Sequence, residues 1–143
     1  MYLLEKSRVT THAKSERNYH IFYSFCRFSP REVLEKYKLL NSTDKCDMTK
    51  YNYLNRGDVY EVPSINDREL LKLVLDSFKS LNFSAPEIDA VWSVIGIVLN
   101  LGNVEISKAN YKEGVTPCNL KSSQYLTNVL SLMEVSQDDL EKA

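Results

Sequence analysis

The chain has 143 residues, of which 43% are apolar and 10% aromatic, enough to bury one core and too apolar for a disordered segment. Its 18 basic and 19 acidic residues leave a formal charge of -1, so no long-range field gathers nucleic acid or an anionic membrane surface, and neither is expected as a partner. The longest apolar stretch, Val94 to Leu101, is interrupted by Gly96 and Asn100 and is far shorter than the roughly 20 residues of a membrane span, and the residues from Met1 to Lys6 do not predict a secretory signal.

Residues Tyr2 to Thr11 alternate loosely and end in β-branched Val9, Thr10 and Thr11, which predicts one N-terminal strand, domain segment 1–12, whose backbone needs a partner from elsewhere and otherwise frays. From Ser15 onward, Tyr19, Phe22, Tyr23 and Cys26 recur at helical spacing and predict a helix with that stripe in the core. Ser29-Pro30-Arg31-Glu32 has the capping-box pattern ahead of a short helix carrying Val33, Leu34, Tyr37 and Leu40. Asn41 to Val62 is polar and irregular, a packed loop anchored by Tyr51, Tyr53 and Leu54, with a turn at Arg56-Gly57-Asp58.

Asn66 with Glu69 opens a helix whose apolar face is Leu70, Leu71, Val74, Leu75 and Phe78, stopping near Asn82. Ser84 with Glu87 opens another, bearing Ile88, Val91, Trp92, Ile95, Val98 and Leu99; its apolar residues nearly encircle it and predict burial on most sides, with Gly96 admitting a close neighbour. Val104 to Ile106 is a short extended segment, Ser107 to Asn119 a surface loop, Leu120 to Met133 a helix, and Ser136 the cap of a last one. The fold class is therefore mainly α, a helical segment 15–143 with one N-terminal β-strand.

Chemistry-bearing residues are sparse. His12, His20 and Cys26 match no compact metal-ligand spacing, and Cys46 and Cys118 are remote from them, so no metal site is expected. The three cysteines include no CxxC and suit a reducing compartment as free structural thiols, and no local histidine and acid make one a nucleophile. Gly57, Gly96, Gly102 and Gly114 are isolated and form no phosphate cradle. Glu5, Lys6 and Arg8 make a charged cluster that reads first as ion pairing with neighbouring segments.

Three motifs, in order and at fitting spacings, carry a resemblance: Tyr2-Leu-Leu-Glu-Lys-Ser-Arg-Val9, Glu16-Arg-Asn-Tyr-His-Ile-Phe-Tyr23 and Asn100-Leu-Gly-Asn-Val104, with Tyr53-Leu-Asn-Arg-Gly57 in support. Together the chain resembles a myosin heavy chain motor domain, and nearly its whole length resembles the upper 50-kDa region between switch I and switch II. It departs from the family at Ser24 to Phe28, where a Gln and small residues usually follow, and at Asn100, where His is common. The motifs assign no class.

The resemblance implies a segment of an actin-based motor whose parent is an actin-activated Mg-ATPase. The P-loop and both switches lie outside these residues, so no catalytic, nucleotide-binding or metal residue and no cofactor is expected in this segment, with Mg-ATP held elsewhere in the parent. It implies that the first strand belongs to the transducer sheet, making Tyr2, Leu3, Glu5, Lys6 and Arg8 the coupling candidates. The implied partners are the rest of the heavy chain and the actin filament, in the cytoplasm and on the cytoskeleton. The segment alone is expected to be inactive; the alternative is a stand-alone, non-enzymatic helical binding module derived from a motor.

Overall fold

The structure, a computed structural model, describes residues 9, 10, 12–42, 44–108 and 118–142. Helices dominate them: α1 (His20–Phe28), α2 (Arg31–Lys36), α3 (Asn52–Asn55), α4 (Asp67–Ser80), α5 (Ala85–Leu101), α6 (Gln124–Met133) and α7 (Gln137–Lys142), with a 3-10 turn at Met48–Lys50. Two short strands, β1 (Ile106–Lys108) and β2 (Cys118–Leu120), pair antiparallel, with Ile106 opposite Leu120. The mainly helical class holds.

The core collects around α1, where five consecutive residues, Phe22 to Cys26, are buried. Helix α4 packs along α1, and α5 packs along α6. Trp92 of α5 joins the two layers: its ring stacks on Phe25 at 4.5 Å between centroids and meets the edge of Phe78 at 5.5 Å, geometries that aromatic pairs favour. Of the expected anchors of the middle loop, Tyr51 and Leu54 are 1% and 0% exposed, and Tyr53 is partly buried against the core. Gly96 admits a close neighbour as expected, since a Cβ there would lie 2.5 Å from the Tyr37 carbonyl oxygen and 3.1 Å from Leu132 Cδ1.

Several expectations are corrected. The first helix begins at His20, not near Ser15: Ser15 has φ 68°, and Arg17 and Asn18 turn inward to partners far along the chain. Ser29 does not cap α2, because it closes α1, its backbone N–H donating to the Phe25 carbonyl; α2 follows Pro30 with no side-chain cap. The stretch expected as a loop from Ser107 begins and ends in the paired strands, and the helix expected from Leu120 starts at Gln124, where the Ser123 hydroxyl accepts from the Leu126 N–H. Helix α5 is not buried all round: Val94 is 55% exposed, and Val91 and Leu101 are exposed beside it. Of the N-terminal strand only Val9 and Thr10 are described, and both are helical; a helical turn satisfies backbone groups locally where a strand needs a neighbour. The rest of that strand lies outside the described residues.

Candidate functional site

Where the N-terminal segment meets the helical core, two of the motifs interlock. Asn18 donates from Nδ2 to the Tyr53 carbonyl at 3.2 Å, and its own N–H donates to the Tyr23 hydroxyl at 3.0 Å. That hydroxyl in turn donates to the Leu54 carbonyl at 3.1 Å, and burial pushes the Tyr23 phenol up, keeping it a donor. Gly57, which ends the Tyr53-Leu-Asn-Arg-Gly57 motif, presses against Glu16: a Cβ on Gly57 would sit 1.8 Å from the Glu16 carbonyl oxygen, and Ser15 N–H donates to the Gly57 carbonyl at 3.0 Å. Only a glycine permits that approach. Arg56, beside it, reaches back to donate to the Thr10 carbonyl at 2.8 Å.

Beneath this contact lies a buried ion pair. Arg17, its side chain 1% exposed, binds Asp67 in fork geometry, Nη1 to Oδ2 and Nη2 to Oδ1, both at 2.8 Å. Asp67 stands at the first position of α4, after Asn66, whose side chain accepts from the Glu69 N–H. Its Oδ1 also accepts from the Ser24 hydroxyl of α1 at 3.0 Å. Burial works against the carboxylate, but the hydrogen bonds from Arg17 and Ser24 and the guanidinium charge outweigh it and hold Asp67 below the usual Asp range. Arg17 Nε donates to His20 Nδ1 at 2.9 Å.

The arrangement therefore ties four pieces of chain together through hydrogen bonds: Thr10 with residues 15–18, residues 53–57, α1 and the start of α4. It holds no nucleophile beside a base, and among the described residues no three His, Cys, Asp or Glu side chains gather as metal ligands. The coupling candidates Tyr2, Leu3, Glu5, Lys6 and Arg8 lie outside the described residues. Reading the sequence as a helix from Ser15 hid Arg17 and Asp67 as partners; the usable signal was an arginine inside an otherwise aromatic, core-forming segment, which needs a buried acid.

Residues 1–143 match the family described as myosin head (motor domain). The chain belongs to that myosin family. It is 35% identical over 142 residues to myosin IF heavy chain of Dictyostelium discoideum, covering 99% of this chain and 13% of that protein. It is 34% identical to unconventional myosin-Ib of Rattus norvegicus, with 99% and 12% covered, and 35% identical to myosin-6 of Arabidopsis thaliana, with 98% and 9% covered. The chain thus spans about an eighth of the first two myosins and less of the third. No helix among the described residues is long and apolar enough to cross a membrane.

Proposed function

We propose that this chain is the scaffold and coupling segment of an actin-based, ATP-driven myosin motor. It has no catalytic residue of its own; its partners are the rest of the heavy chain and, through it, the actin filament. Mg-ATP is held elsewhere in the parent, and the site of action is the cytoplasm, on the cytoskeleton. The single observation that carries the reading is the interlock of residues 15–18 with 53–57 over the Arg17–Asp67 pair. A joint of this stiffness transmits displacement of residues 1–12, including Tyr2, Leu3, Glu5, Lys6 and Arg8, into the helices instead of absorbing it.

The test uses the intact motor. Arg56→Ala removes the tie to Thr10 without opening the core, since Arg56 is a surface side chain bonded to one carbonyl. Basal ATP hydrolysis and melting temperature are expected to stay near wild type while actin activation falls several-fold. Full actin activation in that variant overturns the coupling role. The stand-alone module keeps one supporting observation, the exposed apolar side chains Val91, Val94 and Leu101 on α5, and it predicts stable association with a protein other than the motor's own chain.

A further inference from the structure

Away from the joint, two cysteines line one cavity. Cys26 of α1 is 2% exposed and Cys46, in the segment between α2 and the 3-10 turn, is 8% exposed; both line a cavity of about 570 Å³ that opens toward solvent. Its charged rim is unbalanced. Arg27 pairs with Glu61 and Asp44 pairs with Arg31, which leaves Lys45 and Arg68 as cations without a carboxylate partner among the described residues. Arg68 instead lies over the Phe28 ring, 4.9 Å from its centroid. Both cations line the same cavity as the two thiols, where positive charge complements the negative charge that develops on sulfur as its proton leaves.

We infer that Cys26 and Cys46 form an oxidisable dithiol, a modification site at which a peroxide produces an intramolecular disulfide. Cys46, the less buried of the two residues, loses its proton and attacks a hydrogen peroxide oxygen; the O–O bond breaks, the leaving oxygen takes the proton as water, and Cys46 carries S–OH. Cys26 sulfur then attacks Cys46 sulfur, the S–O bond breaks, and the departing hydroxide leaves with the Cys26 proton as a second water. The two sulfurs lose the two electrons that the peroxide gains. The order of attack follows from access, Cys26 being 2% exposed against 8% for Cys46; the Cys26 thiol lies beside the Cys46 thiol, which together with burial raises it well above its usual value. Cys26 is therefore the resolving partner, and closure staples the segment after α2 onto α1.

Native intact protein exposed to hydrogen peroxide and then mapped by peptide mass spectrometry decides the matter. The expected product is a linked peptide joining Cys26 to Cys46, lighter by two hydrogens than its halves and restored by dithiothreitol. In Cys26→Ser, the Cys46 sulfenic acid is expected to persist and to be trapped by dimedone. Linkage of either residue to Cys118, sulfinic acid at Cys46 without a linked peptide, or both thiols remaining alkylatable only after denaturation overturns the inference.

Discussion

At the scale of single residues, buried polar groups determine most of what is specific to this chain. Asn100 is completely buried. Its amide uses both donor and acceptor: Nδ2 donates to the Gly96 carbonyl at 2.9 Å and the Lys38 carbonyl at 3.2 Å, while Oδ1 accepts from Asn128 at 2.9 Å. The buried amide is thus tied to a partner on α6. Asp67 supports a prediction with a sign. Its folded carboxyl titrates below the unfolded one, so its contribution is present above the ordinary Asp range and lost as pH falls through the lowered folded value. Asp67→Asn should cost about 3–5 kcal/mol at neutral pH, as breaking one side of a buried pair does, and should flatten that acid-side loss; urea unfolding across pH 2–7 checks both. Tyr51 and Leu54 were legible as anchors because large apolar side chains in a polar loop must go inside. Arg17 was not, because its partner lies 50 residues away.

At the scale of elements, local capping chemistry was legible only where no neighbouring element claimed the same residue. Ser84 and Glu87 behave as the pattern predicts, the Glu87 carboxylate accepting from the Ser84 N–H at 2.8 Å and from its hydroxyl at 2.7 Å. Ser136 likewise accepts from the Asp139 N–H at 3.2 Å. Ser29 carries the same pattern and fails, since its backbone is already the end of α1. The β1–β2 pairing was invisible because cross-strand partners leave no short-range signal when the strands have three residues each. Ser123 is the cap that sets the start of α6. Ser123→Ala should lower stability by about 1 kcal/mol, read as a lower urea midpoint with an unchanged denaturant slope.

At the scale of the whole molecule, the exposed residues of α5 mark the side facing outward from this segment. A helix rich in apolar residues was legible; which of its sides this segment covers was not, since composition alone cannot say which neighbours are present. Val94→Asp should leave the stability of the 143-residue chain within about 0.5 kcal/mol, as surface changes do, yet lower the melting temperature of the intact motor if that side is covered there; differential scanning calorimetry on both separates the cases. The Arg17–Asp67 pair, separated by 50 residues, has a different consequence during synthesis. A ribosome adding about 5–20 residues per second needs roughly 3–10 s to make the span between them. Through that interval the nascent guanidinium has no carboxylate to receive it, so the joint locks only after α1, α2 and α3 have been made, and Arg17 waits through the synthesis of three helices for the partner that holds it.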